Sequence, residues 1–401
     1  MRCKTPQSRR AMDPPRPADA NPGWTRAPWA GVIQPPASSS AATMPPPPPR
    51  QGTKASRDAN DGASTSYSSS TTTTFDRAAL FEPADLSAYF DESTDVIVGD
   101  SVFRVRTARA RRVDADATNA EGKGAPPHPS VAIFCLHGCA LAGASFALFA
   151  RALADRAGPN TRVDAMDLRG HGSTRTGDDA DLSLDRMARD VADVCAQLYA
   201  SDSVETKAVL VGHSMGGAVA ARVAQLELVR HMRGVVVIDV VEGTALASVR
   251  GVAMRNAVAA RPTGFASIAG AVEWCARVAR TTSNLESARA STPCTVVPSI
   301  GVEGGYEWRV DVSRTSRYWE GWYAGMSERF LSARCAKLLV LAGHDRLDDA
   351  LTVAQMQGKF QAVLFPNAGH AVHEDEPERC AEAVLGFAGR YAGGVSKGSF
   401  E

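Results

Sequence analysis

Short unbroken apolar runs recur between Val131 and Phe365 and alternate with stretches whose apolar positions return every three or four residues. The runs at 131–136, 163–166, 208–211, 235–238, 337–341 and 362–365 predict strands; helices are predicted over 146–155, 184–199, 219–230 and 351–359. These strands are apolar throughout rather than alternating, so both faces of their sheet must be covered. That pattern argues for an α/β fold: a mostly parallel sheet with helices on both faces. Ahead of it, Asp95-Val96-Ile97-Val98 and Val102-Phe103-Arg104-Val105 read as an opening hairpin, linked onward by the Gly/Pro-rich stretch 117–129. Between 242 and 330 the rhythm breaks, which predicts a cap inserted over the carboxyl edge of the sheet.

Residues 1–75 hold Pro14-Pro15, the proline run 45–49 and a Ser/Thr tract, with too few bulky apolar residues for a core. The predicted division is therefore a disordered tail over 1–75, an α/β core over 76–241 and 331–392, the cap over 242–330, and a flexible end over 393–401. Basic residues such as Arg2, Lys4, Arg9 and Arg10 outnumber acidic ones in the tail, so an organellar transit peptide is the competing reading there.

Composition narrows the function classes. Lys and Arg number 44 and Asp and Glu also 44, so net charge gives no support for nucleic acid or an anionic membrane as partner. No apolar run is long enough to span a bilayer. The eight cysteines are scattered, with no CxxC pair, which suits reduced thiols in the cytoplasm or nucleus. No phosphate-cradling loop or metal-ligand cluster is visible, so neither cofactor nor metal is expected.

The chemistry centres on Gly212-His213-Ser214-Met215-Gly216, a G-x-S-x-G sequence between an apolar strand and a small-residue helix. In that setting the serine sits on a sharp, strained turn at the carboxyl end of a parallel strand, with its hydroxyl held out toward a carbonyl carbon. A serine hydroxyl needs an adjacent base, normally a histidine oriented by a carboxylate. His370, in the loop after the last strand, is the expected base. His373 lies beside the acidic segment Glu374-Asp375-Glu376 and reads as a solvated or supporting residue. For the acid, Asp239 and Asp345 both follow strands and both give the chain order serine, acid, histidine. Asp239 is flanked by Val240 and Val241, which predicts a buried carboxylate in need of a partner. On physical grounds the two stay level.

An oxyanion hole requires two backbone N–H groups. Met215, after the serine, is one expected donor; Cys139, in the loop Leu136-His137-Gly138-Cys139-Ala140 after the first parallel strand, is the other. A thiol so placed raised the expectation that activity is sensitive to oxidation. Asp167-Leu168-Arg169-Gly170-His171-Gly172 reads as a structural turn with internal ion pairs. The aromatics of Tyr318-Trp319-Glu320-Gly321-Trp322-Tyr323 read first as cap packing and second as a groove wall.

Several of these segments together resemble the protein phosphatase methylesterases. They include Ile238-Asp239-Val240-Val241-Glu242-Gly243-Thr244-Ala245, Asn284-Leu285-Glu286-Ser287-Ala288-Arg289, Gln355-Met356-Gln357-Gly358-Lys359-Phe360-Gln361 and Gly369-His370-Ala371-Val372-His373-Glu374-Asp375. The resemblance implies the α/β-hydrolase fold and removal of the methyl ester from the C-terminal leucine of the phosphatase type 2A catalytic subunit. It implies Ser214 as nucleophile, His370 as base and Asp239 rather than Asp345 as acid. The methylated tail of that subunit would be the partner, engaged by a monomer. Where the family carries a glycine-rich loop this chain has His137-Gly138-Cys139-Ala140, whose side chains crowd the approach. The alternatives are a general hydrolase of small esters and a catalytically weakened inhibitor that binds the phosphatase.

Overall fold

Two N-terminal strands, β1 (Glu92–Val98) and β2 (Ser101–Arg109), form the expected hairpin. The computed structural model describes residues 77–110, 131–200, 205–301, 303–343 and 347–393. The tail 1–75, the linker 117–129, Asp345 and the end 394–401 thus lie outside the described residues.

The apolar runs become strands close to where their composition puts them. β3 (Val131–Leu136) is followed by a 3-10 turn, Gly143–Phe146, and α1 (Ala147–Arg156). β4 (Thr161–Met166), α2 (Leu184–Leu198), β5 (Lys207–His213), α3 (Met215–Gln225) and β6 (Met232–Ile238) come next. β4 begins two residues before its apolar run because Arg162 enters the strand paired with Asp164 at 2.7 Å.

After β6 the chain leaves the sheet. It forms α4 (Glu242–Arg250), α5 (Val252–Ala259), α6 (Ile268–Glu273), a π-helical turn Trp274–Ala279, and α7 (Leu285–Ser291). A small ribbon of β7 (Val296–Pro298) and β8 (Tyr306–Trp308) follows, then α8 (Val312–Tyr323) and α9 (Met326–Ser332). The chain returns through β9 (Ala336–Ala342), α10 (Asp349–Met356), β10 (Gln361–Phe365), α11 (Val372–Asp375) and α12 (Pro377–Tyr391).

α3 starts earlier than its periodicity suggested. Gly216 and Gly217 lie in its first turn, where the helix is pressed against the sheet: a Cβ on Gly216 would stand 2.2 Å from the Leu136 carbonyl oxygen.

The eight main strands pair in the order β1-β2-β4-β3-β5-β6-β9-β10; β2 is antiparallel to both neighbours and the rest run parallel. Alternate residues of the central strands feed two cores. Phe134, Leu136, Leu210, Val235 and Val237 pack on the face that carries α2 and α3. Ile133, Cys135, Val209, Val211, Val236 and Ile238 pack on the face that carries α1 and α12. The described chain is thus an α/β fold with a mostly parallel sheet and helices on both faces. Among the described residues, no helix is long and apolar enough to cross a membrane.

This order fixes where a ligand fits. β4 lies on one side of β3 and β5 on the other, so the loops leaving β3 and β5 diverge and open a crevice at the carboxyl edge. The loops after β6, β9 and β10 end on the same edge.

Candidate active site

Ser214 stands between β5 and α3 with φ 51° and ψ −117°, a backbone region that L-residues rarely occupy. Its N–H donates to the Ile238 carbonyl at 3.0 Å, and its own carbonyl accepts from Gly217 and Ala218 in the first turn of α3. The turn requires glycines: a Cβ on Gly212 would lie 2.2 Å from the Gly216 carbonyl oxygen. The strain at the serine is therefore held by closely packed backbone on both sides.

Asp239 follows β6, also at positive φ, and is 3% exposed. Its N–H donates to the Val340 carbonyl at 2.7 Å, its Oδ1 accepts the Ala342 N–H at 2.8 Å, and its Oδ2 lies 2.8 Å from His370 Nδ1. The His370 side chain is 57% exposed whereas the Asp239 carboxylate is sealed from solvent. Sealing the acid while leaving the imidazole open lets the ring meet a substrate without exposing its anchor. Ser214 and His370 line one cavity of about 430 Å³. There the Ser214 hydroxyl also interacts with the phenol of the buried Tyr323.

The loop after β3 forms another wall. The Gly138 carbonyl lies 2.8 Å from His137 Nδ1 and accepts the Leu141 N–H at 3.1 Å. In a trans peptide the N–H points opposite the carbonyl, so the Cys139 N–H faces away from those partners. Met215 opens α3, and its N–H is a first-turn amide with no intrahelical acceptor. The Cys139 thiol packs 3.6 Å from Thr315 Oγ1, and burial raises its pKa. That environment disfavours the thiolate.

Three other sequence readings change. His373 is not solvated: it is fully buried, stacked on Phe146 at 4.2 Å, and its pKa is pushed down to about 3 by burial and then by the nearby His370. The ion pairs of the Asp167 turn run outward rather than within it. Asp167 meets Arg106 on β2 at 2.8 Å, and Arg169 grips Asp190 on α2 at 2.7 and 2.8 Å. The cap aromatics both pack and line: Trp322 donates its indole N–H to the Leu182 carbonyl at 2.7 Å, while Trp319, Trp322 and Tyr323 border the cavity that holds Ser214. Arg261, which also lines this cavity, gave no local signal, because nothing around it in the sequence marks an arginine of the cap as a cavity residue.

The sequence of residues 133–383 matches the family model described as alpha/beta hydrolase family. The chain is 36% identical over 365 residues to protein phosphatase methylesterase 1 of Bos taurus, covering 80% of this chain and 90% of that protein. Against the protein of the same name from Schizosaccharomyces pombe it is 37% identical over 265 residues, covering 65% and 75%. Among solved structures, E-2-(acetamidomethylene)succinate hydrolase superposes with a TM-score of 0.55 at 22% identity, covering 74% of this chain and 98% of that one; this likeness bears on the fold alone.

Proposed function

The chain belongs to the alpha/beta hydrolase family and, within it, to the protein phosphatase methylesterase 1 proteins, and from that premise we propose that this serine esterase demethylates the C-terminal leucine of the phosphatase type 2A catalytic subunit. The observation that carries the reading is the 2.8 Å contact between His370 and the sealed carboxylate of Asp239, at the rim of the cavity that also holds the strained Ser214.

In the proposed reaction Ser214 Oγ attacks the ester carbonyl while its proton passes to His370 Nε2. Asp239 holds the Nδ1–H, fixing the tautomer and stabilising the imidazolium as it forms. The N–H groups of Met215 and Cys139 receive the oxyanion, each worth about 3–4 kcal/mol. Methanol departs with the proton from His370. The same imidazole then draws a proton from water, which cleaves the acyl-enzyme and releases the free leucine carboxylate. The apolar walls contributed by Trp319, Trp322, Val258 and Met254 suit a leucine side chain.

The test is incubation with methylated phosphatase core enzyme, following methanol release. Wild type is expected to remove the ester and Ser214→Ala to leave it intact. Turnover of a generic aryl ester without demethylation would favour a small-ester hydrolase. Binding to the phosphatase with neither turnover nor labelling by a fluorophosphonate would favour an inhibitor.

A further inference from the structure

The cavity that holds Ser214 is lined by two arginines, Arg261 and Arg280, and by no carboxylate among the described residues. Arg261 is the more constrained. Its guanidinium lies 4.0 Å from the centre of the Trp308 ring, and the Trp308 indole N–H donates to the Pro262 carbonyl at 2.9 Å. Trp308 is further wedged against Phe265 and Trp274 at centroid distances of 5.0 and 5.5 Å. The aromatic platform is thus fixed, and it fixes the plane of the cation above it.

Among the described residues Arg261 has no ion pair. The nearest acid that acts on it, Asp311, accepts hydrogen bonds from Ser313 and pairs with Arg314 at 3.2 Å. Burial accordingly outweighs its attractive neighbours and lowers the pKa of Arg261 from the usual arginine value. A partly buried guanidinium with its edge unclaimed is a receptor for a planar anion, because two parallel N–H groups match a carboxylate.

Its location gives that receptor a purpose. Arg261 and Trp308 also border a second cavity, of about 800 Å³, that shares Val249, Val258, Val312 and Trp319 with the first. The stack therefore belongs to the wall that the two cavities share, one holding the nucleophile and the other lined by residues of α4, α5 and α8.

We propose that Arg261 is a specificity-determining residue that grips an acidic side chain of the substrate peptide, a few residues before its ester-bearing end. The inference deepens the proposed reaction and rests on it: a peptide whose esterified terminus lies at Ser214 runs past the Arg261–Trp308 stack into the second cavity. Arg280 adds positive potential in the same chamber, where no carboxylate of the described residues lines the wall; Glu307, Asp311 and Glu320 line the second cavity, so the uncancelled field is confined to the first.

The test measures protection of Ser214 from a fluorophosphonate by leucinamide pentapeptides, compared as Asp and Asn pairs with the variable residue moved through each position. In one register the Asp peptide is expected to protect at about 10- to 100-fold lower concentration than its Asn twin, the range for a charge-assisted hydrogen-bonded pair. That ratio should collapse in Arg261→Gln and shrink in Arg261→Lys, which keeps charge but loses the fork. Reading a ratio within each variant removes any general loss of folding or reactivity. Equal protection by both peptides in every register of the wild type, or a ratio that survives in both variants, overturns the inference. Demethylation of the phosphatase, run in parallel, separates the two claims. Turnover without an aspartate preference sinks this one alone, and a preference without turnover sinks only the reaction.

Discussion

The imidazole of His213 lies with Nε2 3.0 Å from the backbone carbonyl of His370. The residue before the nucleophile thus holds the peptide that carries the base. Since a carbonyl only accepts, Nε2 bears the proton. Burial, and then the adjacent His373 and His370, depress the pKa of His213 and keep the ring neutral. His213→Ala leaves that carbonyl without its donor and frees the loop; kcat should fall about 10- to 100-fold with KM little changed, as expected for a misplaced base. His213→Gln, which keeps an N–H near the same reach, should recover much of the loss. Steady-state kinetics on one ester substrate decide it.

Asp239 supplies a second prediction. Its two oxygens are divided between the Ala342 N–H and His370, so Asp239→Asn keeps the shape but favours the wrong tautomer of the imidazole. The expected loss is about 10⁴-fold in kcat. Asp345→Asn should retain most activity; a large loss there with Asp239→Asn active would reverse the assignment.

Gly138 is required by close approach. A Cβ at this position would stand 2.7 Å from His213 Nδ1 and 3.3 Å from Ser214 Cβ. Both are side-chain atoms of the tightly held elbow, the His213 ring being tied to the His370 carbonyl, so the loop rather than the elbow must yield in Gly138→Ala. The Cys139 N–H would then shift from the oxyanion position. Activity should fall by about 10²-fold, the cost of one mispositioned donor, while the melting temperature moves little.

How far the chain could be read depended on the range of the interactions involved. The parallel strands were legible because a doubly covered sheet needs unbroken apolar runs, and β3 matches its run end to end. The elbow was legible because its steric demands fall within five consecutive residues. The choice between Asp239 and Asp345 was not, since it depends on which strand end faces the loop of His370. The burial of His373 was hidden for the same reason: Phe146, which covers it, lies far away in sequence. The Arg261–Trp308 stack joins two cap segments whose meeting no local pattern encodes.

Ala140 carries φ 61° in the loop after β3, a conformation that disfavours any side chain with a Cβ. Ala140→Gly relieves that strain but adds freedom to the unfolded chain, so the net gain should be about 0.5–1 kcal/mol. Chemical denaturation would measure it, and an unchanged or lower midpoint would show that the loop gains nothing from the relief.

The pH dependence of stability should reflect three buried residues, two histidines and one acid, whose effects are of opposite sign. Burial pushes His171 and His373 down from 6.5 to about 3. Their contribution is fully present above pH 6.5 and is lost as pH falls toward 3, because the unfolded chain takes up protons first. Burial instead pushes Glu374 up from 4.5 to about 8, and among the described residues its Oε1 has no hydrogen-bond partner. Its contribution is fully present below pH 4.5 and is lost as pH rises to 8. Between 4.5 and 6.5 the two histidines outweigh the one acid, so stability rises with pH; above 6.5 only the acid still changes, so it falls. These groups therefore set a maximum near pH 6.5, with a decline beyond it of about 1.4 kcal/mol per pH unit. Glu374→Gln has no proton to lose, and its unfolding free energy should stay level from pH 6.5 to 8 while the wild type drops. An identical drop in both proteins would place the alkaline sensitivity elsewhere.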